Sequence, residues 1–165
     1  MNTPSSALLD APETTALPNL LRPAPRILIV DDDFFLRQLE AEALRCAGYQ
    51  VADVEAGAAW DALQRATYDL LVTDNAMARV TGVELVKLVK SAQMPLPILM
   101  TAGSLANWDA VPDLYLNRVT MLFKPYTITE FLAMVKAVMR AANPAGQEFV
   151  LPDWQSRQPA FGMRL

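Results

Sequence analysis

Four apolar runs of β-strand length each end on a side chain able to do chemistry. Ile27-Leu28-Ile29-Val30 leads into Asp31-Asp32-Asp33, and Leu70-Leu71-Val72-Thr73 into Asp74. Ile98-Leu99-Met100 leads into Thr101, and Met121-Leu122-Phe123 into Lys124-Pro125. A continuous apolar run suits a central parallel strand buried on both faces. Parallel strands of an α/β sheet bring their C-terminal ends to one edge, where the sites of such sheets lie. That edge would gather three carboxylates, a hydroxyl and an ammonium, a set suited to a divalent cation and a phosphoryl group.

The intervening segments read as helices and one further strand. Phe34 to Ala47 carries Leu36, Leu39, Ala43 and Ala47 near helical spacing, with Gly48 as its stop. Gln50–Val54 reads as a weak strand and Gly57–Ala66 as an Ala-rich helix with Trp60 and Leu63. Val83, Val86 and Val89 set one face of a helix that begins near Thr81-Gly82. A helix over Leu105–Asn117, capped by Ser104, is made short or broken by Pro112. Val119–Phe123 is the fifth strand, and Thr127-Ile128-Thr129-Glu130 has the form of a capping box opening a helix that runs to about Ala142. Five strands alternating with five helices predict an α/β, doubly wound domain with a parallel sheet.

The chain has 165 residues, enough for one domain with a substantial core, and its 53% hydrophobic and 19% charged content is that of a globular protein. Residues 1–25 hold five of the twelve prolines and read as a flexible leader, residues 26–142 as the domain, and residues 143–165 as a C-terminal tail. The tail carries Phe149, Leu151, Trp154 and Phe161; it reads as a segment lying on the domain or as a docking peptide, and it is too short for a helix-turn-helix effector. A net charge of −4 with no Lys/Arg run argues against a nucleic-acid partner. No apolar run approaches the roughly 18 residues of a membrane span, and no secretory signal opens the chain. The single Cys46, read as a small apolar helix residue, forms no intramolecular disulfide, which favours the cytoplasm. With no histidine, Ser-His-Asp and Cys-His catalysis and His-ligated zinc are excluded, and any phosphoryl acceptor must be a carboxylate or hydroxyl.

Carboxylates within about 4 Å of one another repel by roughly 4 kcal/mol per pair at an effective dielectric near 20. They stay ionised together when a cation joins them, and Mg²⁺ fits because it binds through one or two carboxylates plus waters and phosphate oxygens. Asp31 and Asp32 are the candidate metal ligands, which leaves Asp74 as the nucleophile. Asp33 reads instead as the N-cap of the first helix.

In this order the motifs resemble the receiver domain of bacterial two-component response regulators, over about Arg26 to Ala142. Asp31-Asp32 looks like the family's acidic pair, Asp74 its phosphoacceptor, Thr101-Ala102 its hydroxyl and small residue, and Lys124-Pro125 its lysine and proline. Gly82 matches the glycine that the family places eight residues past the acceptor. The resemblance implies a flavodoxin-like sheet of strand order 2-1-3-4-5 and a cis Lys124–Pro125 bond. It implies transfer of a phosphoryl group to Asp74 from a sensor histidine kinase or histidine phosphotransfer protein. Mg²⁺ would be held by Asp31, Asp32, Asp74 and the Ala76 backbone carbonyl, with Lys124 on a phosphoryl oxygen and Thr101 drawn toward it. The chain is then a phosphoprotein rather than an enzyme acting on other substrates, a stand-alone receiver whose output is contact with a downstream protein target.

Three positions depart from the family pattern. Ala78 stands where proline is usual, Met121 where a switch aromatic is common, and the stretch after Thr101 holds Gly103 and Pro112. Two other readings compete. Asp31-x-Asp33 resembles the start of a haloacid-dehalogenase phosphatase motif, but Phe35 stands where that motif takes Thr or Val, and no P-loop signature occurs. The alternative is a receiver-like module that binds partners without being phosphorylated.

Overall fold

A computed structural model describes residues 23–103 and 119–143. Five strands, β1 (Arg26–Val30), β2 (Gln50–Val54), β3 (Leu70–Asp74), β4 (Ile98–Ala102) and β5 (Val119–Phe123), form one parallel sheet in the order β2-β1-β3-β4-β5. Four helices lie among the described residues: α1 (Phe34–Cys46), α2 (Ala56–Arg65), α3 (Gly82–Ser91) and α4 (Ile128–Ala142). The expected helix at Leu105–Asn117, its Ser104 cap, most of the leader and most of the tail lie outside the described residues.

The sheet is buried on both faces, which is why its strands read as unbroken apolar runs rather than alternating ones. Ile27, Ile29, Leu70, Val72, Leu99 and Leu122 pack with Ala41 and Leu44 of α1 and Phe131 and Val135 of α4. Leu28, Val30, Leu71, Ile98 and Met100 pack on the other face with Ala59 and Leu63 of α2 and Leu85, Val86 and Val89 of α3. The order reverses direction at β1 and β3, so the crevice above their C-terminal ends is the topological switch point of the sheet.

Local chemistry sets the helix ends. Asp33 caps α1, its carboxylate accepting from the amides of Phe35 and Leu36. Gly48 adopts φ 93° just past α1, a left-handed conformation that glycine reaches without a Cβ penalty. Thr81 with Glu84 and Thr127 with Glu130 form capping boxes at the starts of α3 and α4. These bonds hold both glutamates below the usual carboxylate range.

One helix face differs from expectation. Leu39 of α1 is 54% exposed, and the buried face is Arg37, Glu40, Ala41 and Leu44. Counting apolar residues misplaces the face because two of its members are ionisable residues with partners outside the helix. Arg37 donates to the Asp31 carbonyl, and Glu40 accepts from Tyr126. Cys46, read as a small apolar helix residue, is the last residue of α1 and is exposed near the carboxylate of Glu42.

Candidate functional site

Asp74 closes the central strand β3 and is 6% exposed. In register with it on β4 stands Thr101, and the sheet continues one step beyond, with the Asn75 amide donating to the Thr101 carbonyl at 2.8 Å. Lys124 follows β5 and is tied to the same edge by its amide, which donates to Ala102 at 2.8 Å. Strand register alone therefore brings three residues from separate parts of the chain to one place.

Their side chains meet there. The Lys124 ammonium donates to Asp74 Oδ1 at 2.8 Å, and Thr101 Oγ1 donates to the same oxygen at 3.2 Å. Asp74 Oδ2 accepts from the Ala76 amide at 3.0 Å. Gly82 lies beneath this turn: a Cβ there would stand 2.5 Å from the Asp74 carbonyl oxygen. The Lys124–Pro125 bond is cis, as expected.

The acidic pair after β1 divides. Asp31 is buried, accepts from the Asp33 amide at 2.7 Å and lies 3.6 Å from the Lys124 ammonium. Burial raises its pKa above the ordinary value, against the pull of that amide and of Lys124. Asp32 is exposed and accepts from the amides of Ala78 at 2.7 Å and Ala56 at 3.0 Å, bonds that lower its pKa. For Lys124, burial works to lower the pKa, but the bond to Asp74 and the charges of Asp74, Asp31 and Glu40 outweigh it and hold the ammonium above its usual range.

Among the described residues no three His, Cys, Asp or Glu side chains are assembled as a ready metal cage. Asp31 and Asp74 share one cation, Lys124, and two such carboxylates suit Mg²⁺, which keeps most of its water rather than entering an all-protein cage. Asp32 would join them only by leaving the Ala56 and Ala78 amides.

Two polar residues at this edge were not singled out from the sequence. Glu40 is 1% exposed and accepts from the Tyr126 hydroxyl at 2.5 Å. Burial and the charges of Asp31 and Asp74 push its carboxyl up to about 7, with the Tyr126 bond and Lys124 opposing. A glutamate flanked by Ala41 and Leu44 on a helix packed against a sheet was the only available signal.

The model of the response regulator receiver domain matches residues 27–136. The chain belongs to that family. FixJ, a transcriptional regulatory protein of Bradyrhizobium diazoefficiens, is 32% identical over 140 residues, 84% of this chain and 68% of FixJ. The regulatory protein VirG of Agrobacterium tumefaciens is 30% identical over 139 residues, 80% of this chain but only 52% of VirG. The solved chemotaxis response regulator CheY4 of Vibrio cholerae matches with a TM-score of 0.61 at 28% identity, over 70% of this chain and 98% of that one. This receiver thus spans between half and about two thirds of the curated relatives named, and nearly all of CheY4. The flavodoxin-like strand order expected from the resemblance is the one observed.

Proposed function

We propose that this receiver takes a phosphoryl group onto Asp74 from the phosphohistidine of a sensor histidine kinase or histidine phosphotransfer protein, and signals by contact with a downstream protein. The observation that carries this reading is the pair of donors on Asp74 Oδ1, the Lys124 ammonium and the Thr101 hydroxyl. An ammonium 2.8 Å from a carboxylate is already placed to neutralise charge on an arriving phosphoryl group, and in phosphoryl transfer such positioning does most of the catalytic work.

In the reaction a carboxylate oxygen of Asp74 attacks phosphorus. An O–P bond forms as the N–P bond breaks, and the donor imidazole leaves and takes up a proton. Lys124 moves its charge onto a phosphoryl oxygen, and the Thr101 hydroxyl follows by donating to another. Asp31, Asp32, Asp74 and the Ala76 carbonyl are the groups that would hold Mg²⁺. The ion would supply charge neutralisation for the phosphoryl oxygens. Asp32 would have to leave its two backbone amides to join this set, and those amides favour its ionised form.

Incubation with acetyl phosphate and Mg²⁺, followed by intact mass measurement, tests the reading. One acid-stable, base-labile phosphoryl group should appear and be lost in Asp74→Asn. The engagement of Asp32 by Ala56 and Ala78 favours a second reading, a partner-binding module that is not phosphorylated. No mass gain together with no Mg²⁺ binding would support that one.

A further inference from the structure

The carboxylate of Asp32 is shared between two segments distant in sequence. Its Oδ1 accepts from the Ala56 amide at 3.0 Å and its Oδ2 from the Ala78 amide at 2.7 Å. Ala56 is the first residue of α2, and Ala78 lies between β3 and α3. One side chain thus fastens the turn after β1 to backbone 24 and 46 positions further along. The loop after β3 is also the one whose Ala76 amide donates to Asp74 Oδ2, so this clamp closes beside Asp74.

The clamp competes with a cation for the same carboxylate. Asp31 and Asp74 meet at the Lys124 ammonium, at 3.6 and 2.8 Å, whereas each oxygen of Asp32 is engaged by a main-chain donor. A hydrogen bond from an N–H to an ionised carboxylate is about twice as strong as one between neutral groups, so turning Asp32 toward the other two acids gives up two strong bonds. Main-chain donors survive every side-chain replacement except proline, which has no amide hydrogen. Position 78, where the family pattern takes proline, holds alanine, and the shorter of the two bonds exists for that reason.

We infer that the amides of Ala56 and Ala78 set the divalent-cation affinity of the site by holding Asp32 away from Asp31 and Asp74, so that Mg²⁺ binding breaks both bonds and frees the loop after β3 from the turn after β1. The inference rests on the reading of Asp32 as a cation ligand. Ala56 and Ala78 act as positioning residues through their backbone. A site whose third carboxylate is held elsewhere shows its intrinsic affinity reduced by the fraction of molecules in which that carboxylate is released.

The test titrates Mg²⁺ calorimetrically into the full chain as wild type, Ala56→Pro, Ala78→Pro and Ala78→Gly. Ala56 is the first helical residue, where proline is well accommodated, and Glu55 before it is extended at φ −78° and ψ 160°, as a residue preceding proline prefers. Each proline variant lacks one amide of the clamp and should bind Mg²⁺ about fivefold more tightly. Ala78→Gly keeps the amide and should stay within about twofold of wild type. In the wild type, Mg²⁺ should speed hydrogen exchange at the Ala56 and Ala78 amides by about tenfold, while the Gly82 amide, which donates to the Asn75 carbonyl at 3.2 Å, keeps its rate. Wild-type or weaker affinity in both proline variants, a glycine variant as tight as Ala78→Pro, or unchanged exchange at the two amides overturns the inference while leaving the Asp74 reading intact. A wild type that binds no Mg²⁺ overturns the reading of Asp32 as well.

Discussion

Lys124 stands between two carboxylates, 2.8 Å from Asp74 and 3.6 Å from Asp31, so its removal has opposite effects on two steps. In Lys124→Ala the ammonium no longer competes for the carboxylates, and Mg²⁺ binding measured by calorimetry should tighten or hold. Phosphorylation by acetyl phosphate should slow by about 100-fold, because a charge aimed at the transferring group is lost. Weaker Mg²⁺ binding in this variant would contradict a lysine that neutralises both acids. At this scale much was legible in the sequence. Asp74, Thr101 and Lys124 converge as expected because each follows a strand, and adjacent parallel strands fix where their last residues lie. Glu40 and Tyr126 escaped notice because their pairing spans 86 positions and follows no short motif.

The elements around the site are held by backbone proximity as much as by side chains. α3 begins so close to the end of β3 that only glycine fits at position 82, where a methyl group would press on the backbone of Asp74 and Asn75. Gly82→Ala should cost about 1–3 kcal/mol in urea unfolding, since backbone atoms cannot rotate away as a side chain can. Gly103→Ala, with no described residue within 4 Å of its added carbon, should change stability by no more than about 0.5 kcal/mol. Equal losses at the two positions would show that the close approach of α3 is wrong. Element ends were legible to within about a residue, and the Thr127 capping box and the Gly48 stop were read from their chemical signatures, whereas the Thr81–Glu84 box has the same form and was not. The buried face of α1 was not. Periodicity assigns apolar side chains inward, and Arg37 and Glu40 go inward on the strength of partners in the loops after β1 and before α4.

For the molecule as a whole, a buried carboxyl with its pKa pushed to about 7 makes stability depend on pH in an unusual direction. Native Glu40 keeps its proton where the unfolded chain, near the ordinary 4.5, has released it. Its contribution is complete below about pH 4.5 and is lost as pH rises to about 7 and beyond, a difference of about 3 kcal/mol. Asp31, Asp74, Lys124 and Tyr126 face it from the other elements and are retained in Glu40→Gln, so the difference between the two proteins isolates the glutamate. Urea unfolding without Mg²⁺ should show wild type losing about 3 kcal/mol relative to Glu40→Gln between about pH 5 and about pH 8. Parallel curves would contradict a buried, protonated Glu40.

The doubly wound sheet has its switch point beside Asp74, and the proposed function makes that carboxylate, among several, the phosphorylated one. Borohydride reduction of the chain after treatment with acetyl phosphate and Mg²⁺, followed by peptide sequencing, reads that choice directly. An acyl phosphate at Asp74 is reduced to homoserine at that position, and this is the predicted result. Homoserine at Asp31 or Asp32, or at no position, would contradict the account.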